Sequence, residues 1–172
     1  MTPNPTSHIS DLVHNLHDPK VLIEAICAFV CHAEEPLAQS PFAIFPLVEA
    51  RPIADVVRDW LEGRIAFEVA LGKARAHNHT IRPSAVRSPR RQVFHYCSGC
   101  QLAQMLEVVR QSGDLPRHLI CVAACIRRST TYAQSSASGK AETEWQVAYL
   151  ESLLASGGHS PNHLRPSTAS VK

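Results

Sequence analysis

Four of the six cysteines in this chain of 172 residues lie within one stretch, Arg87 to Arg128. The middle of the stretch has helical periodicity, because apolar residues recur at spacings of three and four opposite polar ones. These apolar residues are Leu102, Met105, Leu106 and Val109. The sequence therefore predicts a helix that begins at the pair Cys97 and Cys100. Gly113 is expected as the left-handed residue that ends this helix, and Pro116 follows it.

The next segment is an unbroken apolar run from Leu119 to Ile126. Such a run is compatible with a buried strand or a buried helix, and periodicity alone does not separate the two. Its β-branched residues favour a strand, whereas its two adjacent alanines favour a helix. We predict a helix over residues 118–126. This helix would carry His118, Cys121 and Cys125 at positions i, i+3 and i+7, on one face.

The spacing of the cysteines predicts a structural zinc site. Two cysteines separated by two residues present two thiolates to one ion, and a tetrahedral site takes two further ligands. The predicted ligands are Cys97, Cys100, Cys121 and Cys125, with His95 or His118 as a replacement for one sulfur. The last pair departs from most zinc ribbons, because three residues separate it instead of two. Ordinary buried thiols are the simpler alternative for Cys121 and Cys125.

Thiol redox chemistry is the alternative interpretation of the same cysteines. An extended segment, a CxxC pair and a helix follow each other in the order in which thioredoxin-like proteins present their nucleophile. The helix N-terminus would lower the thiol pKa, so that Cys97 attacks and Cys100 resolves the mixed disulfide. A strand over residues 118–126 would favour this hypothesis, and a helix there favours the zinc site. No proline-bearing strand follows Ile126 to face the dithiol.

A basic segment precedes the cysteines. Residues 77–91 contain prolines, serines and arginines and few apolar residues, which predicts a linker. Arginines neutralise phosphates, and aromatic residues such as Phe94 and Tyr96, which follow them here, can stack on bases. The predicted nucleic-acid contacts are Arg87, Arg90 and Arg91. A solvated linker is the simpler alternative.

Start and stop residues predict helices in the amino-terminal half. A short helix is expected with Ser10 as its N-cap. A longer, largely buried helix has Asp18 as N-cap and Pro19 in its first position, and it is expected to end near Glu34, before Pro36.

Two further helical regions are expected. One begins near Pro52, is bent or broken at Gly63 and fades at about Arg75. The last runs from about 141 to 155, after a polar loop from Ser135 to Lys140.

The predicted fold is mainly α, a helical domain of about five or six helices in which zinc stabilises a small C-terminal module. The sequence divides into a flexible N-terminal tail (1–9), a helical region (10–76), the basic linker (77–91), a cysteine-containing helical module (92–156) and a disordered tail (157–172). A hydrophobic content of 45% is ordinary for a globular protein.

Composition and charge restrict the function classes. A net charge of +2 requires any electrostatic contact with a partner to be local. The sequence predicts no membrane span and no export signal, and six cysteines then indicate an intracellular, reducing compartment such as the cytoplasm. We expect a non-enzymatic regulatory or adaptor protein that binds a protein partner, with nucleic acid as a second expected partner and zinc as the expected metal. The alternatives are the thiol oxidoreductase and a helical subunit of a larger complex with buried cysteines and no metal.

Overall fold

Seven α-helices account for most of the chain in the computed structural model, which describes residues 5–38, 50–85 and 99–157. They are α1 (Pro5–His14), α2 (Pro19–Ala38), α3 (Ala50–Leu61), α4 (Phe67–Ala85), α5 (Gly99–Arg110), α6 (Leu115–Ala133) and α7 (Ser136–Ala155). The described residues contain no strand. The mainly α prediction is confirmed, and the described residues alone contain seven helices where five or six were expected.

Helix α2 begins where its N-cap predicts. The N–H of Lys20 donates to the Asp18 carboxylate at 2.8 Å, and Pro19 occupies the first helical position. The predicted end near Glu34 is wrong, because the helix continues through Pro36 to Ala38. A proline removes one hydrogen bond from the ladder, and this loss near the end of a 20-residue helix does not terminate it.

Helix α1 begins earlier than predicted. Its first residue is Pro5, so Ser10 lies in the middle of the helix and is not its N-cap. Proline suits the first helical position because the N–H it lacks would have no partner there. The predicted tail over residues 1–9 is therefore helical from residue 5 onward.

Two turns separate helices at the predicted places. Gly63 has φ +75° between α3 and α4, which confirms a break there. After α5 the left-handed residue is Ser112, with φ +52°, and not Gly113 as predicted. The N–H of Gly113 donates to the Val108 carbonyl at 2.8 Å, and a Cβ on Gly113 would lie only 3.1 Å from Val108 Cγ1. Gly113 is therefore required for the close approach to Val108 and not for a positive φ angle.

Helix α6 resolves the ambiguity of the apolar run, since residues 118–126 are helical as predicted. Asp114 caps this helix by accepting a hydrogen bond from the N–H of Arg117 at 2.9 Å. The loop predicted from Ser135 to Lys140 is wrong. Ser135 caps α7 instead, accepting from the N–H of Ser138 at 3.1 Å.

The small residues for which a loop was predicted form the first turns of α7, because they pack closely against α6. Gly139 is buried, and a Cβ there would overlap Thr131 Oγ1 and lie 3.2 Å from the Arg127 carbonyl oxygen. Small side chains allow this close approach, so tertiary packing stabilises a first turn with little apolar surface.

The buried side chains form one core with contributions from all parts of the described chain. Helices α2 and α7 both pack along α6, α1 lies against α7, and α4 packs on α5. Residues assigned to the regions 10–76 and 92–156 therefore share a core. Residues 77–85, the first part of the predicted linker, belong to α4, and the predicted disordered tail from 158 onward lies outside the described residues.

Candidate functional site

Three of the six predicted metal ligands and alternates lie together on helix α6. His118 and Cys125 are half-buried, and Cys121 between them is exposed. Cys100 is half-buried in the first turn of α5. The other predicted site residues, Cys97, His95, Arg87, Arg90 and Arg91, lie outside the described residues.

A hydrogen bond joins His118 of α6 to the start of α5. The imidazole of His118 bonds to the backbone of Gln101, the residue that follows Cys100. The turn before α6 contacts α5 nearer its other end, where Gly113 bonds to Val108. From the first contact to the second, the chain advances from Gly113 to His118, whereas the partner residue in α5 moves back from Val108 to Gln101. Helix α6 therefore begins antiparallel to α5.

This arrangement determines where the α6 cysteines lie. Helix α5 begins at Gly99, only two residues before Gln101, whereas α6 continues to Ala133. At a rise of about 1.5 Å per residue, Cys121 and Cys125 follow His118 along α6 by about 4.5 and 10.5 Å, away from the turn that joins the two helices. The chain that carries the CxxC pair enters α5 at this same end. We call this region the α5–α6 junction.

The surroundings of the His118 imidazole favour its neutral form. Burial lowers its pKa, and the bond to the Gln101 backbone offsets this only partly, so the ring is neutral near pH 7. Its Nε2 atom is buried and has no hydrogen-bond partner within the described residues, so the bond to Gln101 is made through Nδ1. Metal-bound histidines commonly donate one N–H to a backbone carbonyl and bind the metal through the other nitrogen.

The thiols at the junction differ in environment. Burial raises the pKa of Cys125, although the neighbouring Arg128 acts in the opposite direction. Within residues 5–38, 50–85 and 99–157, no three His, Cys, Asp or Glu side chains form a group that could hold a metal ion. A zinc site that uses three of the described ligands therefore requires their side chains to move closer together, in addition to a ligand from Cys97 or His95.

The remaining two described cysteines, Cys27 and Cys31, lie on α2 at the side facing α3. Burial raises the pKa of Cys31 to about 12 and raises that of Cys27 further. Arg58 and Arg51 of α3 lower these pKa values by less than burial raises them. Both thiols are protonated packing groups at neutral pH.

We expect Cys27 and Cys31 to resist alkylation in the folded protein at about pH 8.5, while the exposed Cys121 reacts. The thiolate is the nucleophile, and burial suppresses both its formation and its access to reagent. Peptide mapping by mass spectrometry after a short iodoacetamide pulse measures this, on protein treated with a chelator so that metal does not protect Cys121. Labelling of Cys27 as fast as that of Cys121 would contradict the assigned environments.

A buried polar network between α2 and α7 was not anticipated from the sequence. His32 Nδ1 lies 3.1 Å from Glu142 Oε2, and Gln146 Nε2 donates to Glu142 Oε1 at 3.0 Å. The His32 ring stacks on Trp145 with centroids 3.6 Å apart. Glu142 and Gln146 share helical spacing with Tyr149 and other core residues of α7, and this spacing was the available signal.

An open groove of about 510 Å³ follows α7 where it faces α1 and α6. Its lining carries charges of both signs around Val147: Lys140, Glu144 and Glu151 from α7 and Arg127 from α6. Lys140 pairs with Glu144 at 3.7 Å, and Glu151 pairs with His8 of α1 at 3.3 Å.

Comparison with protein families, with curated proteins and with solved structures finds no match to this chain. Among the helices that the structure describes, none has both the length and the apolarity to cross a bilayer.

Proposed function

We propose that the chain is a non-enzymatic regulatory or adaptor protein in which a structural zinc ion joins the start of α5 to α6. The observation that carries the proposal is His118. Its Nδ1 is held by the Gln101 backbone while its buried Nε2 has no partner in the described part of the chain, beside the end of α5 that the CxxC pair enters. Four protein ligands would close the coordination sphere, which is the arrangement of structural zinc.

The ligand set combines the CxxC pair with two residues of α6. The proposed ligands are Cys97, Cys100, Cys121 and His118, with Cys125 as the alternative to His118. His118 and Cys125 are about 10.5 Å apart along the helix axis, and Cys121 lies between them. The ion therefore lies beside Cys121 and takes only one of these two neighbours. Cysteine thiolates and a neutral imidazole form the donor set that zinc prefers.

Exchange of Cys100 for serine is expected to abolish stoichiometric zinc in natively purified protein, because two of the four ligands must come from the CxxC pair. Elemental analysis of the variants measures this, with Cys31→Ala as the matched control that keeps its metal. Separate His118→Ala and Cys125→Ala variants identify the fourth ligand as the one whose loss lowers the zinc content. Full zinc in Cys100→Ser protein would refute the junction site.

The same samples distinguish the oxidoreductase alternative. That alternative places a low-pKa nucleophile at Cys97, which would then alkylate rapidly well below about pH 8.5 in metal-free protein. A strand over residues 118–126 would have favoured this alternative, and these residues are helical.

The adaptor part of the proposal rests on the groove beside α7, whose mixed charges can recognise a protein segment. Nucleic acid is the second proposed partner, and the basic residues Arg87, Arg90 and Arg91 would be its phosphate contacts. The motivating observation is their position in the sequence before Phe94 and Tyr96.

Replacing these three arginines with glutamine is expected to weaken binding to a single-stranded oligonucleotide. It is also expected to make the binding constant depend less steeply on salt concentration. Each lost phosphate contact reduces the slope of log K against log salt by about 0.7. Fluorescence anisotropy across a salt series measures both effects. A triple variant at the exposed residues Arg51, Arg64 and Arg117 serves as the control. Equal loss in the two variants would contradict a localised contact.

A further inference from the structure

Gln146 of α7 is fully buried and only partly satisfied by hydrogen bonds. Its relative exposure is 0%, and its Nε2 donates to the Glu142 carboxylate at 3.0 Å. Its Oε1 is buried and has no hydrogen-bond partner among the residues that the structure describes. The opposite amide orientation would point the oxygen at a carboxylate, so the unpartnered atom is the acceptor.

A small cavity adjoins this side chain at the meeting of α1, α6 and α7. It is lined by Ile9, Ile120, Ala123, Ala124, Arg127 and Gln146, and its volume is about 10 Å³. That volume corresponds to about one water molecule. Nearly all its lining is apolar apart from Gln146 and Arg127, so a ligand there must be small and must satisfy a buried acceptor.

We propose that this cavity is a binding site for one ordered water molecule, which donates a hydrogen bond to Gln146 Oε1. The second partner is Arg127, whose guanidinium carries five N–H donors, enough to reach the water in addition to any other contact. An unsatisfied buried acceptor is rare in folded proteins and costs stability, whereas a bridging water removes that cost.

The water completes a polar chain across three helices. The chain runs from His32 on α2 through Glu142 and Gln146 on α7 to the water and Arg127 on α6. Since Arg127 also lines the groove beside α7, the chain connects the groove to the stacked rings of His32 and Trp145. The proposal is independent of the zinc site, because none of these residues is a proposed metal ligand.

Water cross-relaxation in the NMR spectrum of the full chain tests the site directly. A bound water gives cross-peaks from the water resonance to the Gln146 side-chain amide protons and the Ile120 methyl groups. Gln146→Met, which removes the acceptor while keeping an unbranched side chain, is expected to abolish the cross-peak to Ile120. Absence of cross-peaks in the wild-type protein overturns the proposal.

Filling the cavity gives an independent thermodynamic test. Ala124→Val is expected to displace the water and to raise the unfolding equilibrium constant by roughly 5- to 150-fold, the equivalent of about 1–3 kcal/mol for an orphaned acceptor. Ala141→Val, at an exposed position of α7, corrects for helix propensity. If the cavity is dry, Ala124→Val stabilises the protein relative to this control, and the proposal fails.

Overpacking is distinguished from loss of water by repeating the substitution in the Gln146→Met background. There the acceptor is gone, so Ala124→Val is expected to cost no more than the Ala141→Val control. If Ala124→Val lowers the stability of Gln146→Met protein as much as it lowers that of the wild type, the loss is steric and is not caused by displaced water. That result overturns the water site.

Discussion

Replacing Phe29 with alanine is expected to lower the free energy of unfolding by about 3–5 kcal/mol, the largest effect of any single substitution considered for this chain. Phe29 of α2 has a relative exposure of 0%. Its ring meets those of Trp145 and Tyr149 edge-on, with centroids 5.8 and 6.0 Å away. The truncation therefore leaves a cavity between α2 and α7 and removes two aromatic contacts.

Urea denaturation monitored by circular dichroism measures this loss, with an unchanged m-value as evidence that the denatured state is not altered. Phe67→Ala is the matched control, because Phe67 is half-buried and, among the described residues, its ring contacts only that of Trp60, at 5.0 Å. We expect its loss to be clearly smaller. Equal losses at the two positions would contradict the larger cavity and the additional aromatic contacts expected at Phe29.

Replacing Gly139 with alanine is expected to lower the free energy of unfolding by about 1–3 kcal/mol, although alanine normally favours a helix over glycine. The added Cβ overlaps Thr131 Oγ1 and approaches the Arg127 carbonyl to 3.2 Å, so the Thr131 side chain must rotate away and the α6 backbone must shift by a few tenths of an ångström. Thermal and urea denaturation measure the change. A variant as stable as the wild type would contradict the close approach of the two helices.

Two further variants test whether the added Cβ causes the loss of stability in Gly139→Ala. Gly72 lies in α4, and no atom of a neighbouring described residue lies within 4 Å of an added Cβ, so Gly72→Ala is expected to stabilise the protein by about 0.5–1 kcal/mol. Thr131→Ala removes the oxygen that overlaps the new Cβ, and it should restore part of the stability lost in Gly139→Ala. Failure of this rescue would assign the loss to the Arg127 carbonyl alone.

Periodicity predicted the helices whose apolar faces are continuous. In α5 the residues Leu102, Met105 and Leu106 are fully buried, as their spacing required. The same rule fails at the start of α7, where residues 136–141 have no large apolar side chain to define a face. That turn is helical because Ser135 caps it and Gly139 fits against α6, and the second of these is a tertiary contact.

The sequence predicted the residue types of the candidate site and their spacing along a helix, but it did not predict their contacts with another helix. The sequence placed His118, Cys121 and Cys125 on one face of a helix, and α6 confirms that they are helical. The contact of His118 with Gln101 depends on how α6 packs on α5, and no local pattern encodes it. Glu142 and Gln146 were missed for a different reason, because polar residues at core positions of a helix are ordinarily assigned to its solvent face.

The most direct test of the α5–α6 junction is elemental analysis of the full chain, purified under native conditions without added metal. The proposal predicts one zinc ion per chain, and its removal by a chelator should both destabilise the protein and make Cys97 and Cys100 reactive. Protein that contains no stoichiometric zinc, and whose Cys97 and Cys100 react at the same rate with and without chelator, would contradict the metal-joined junction.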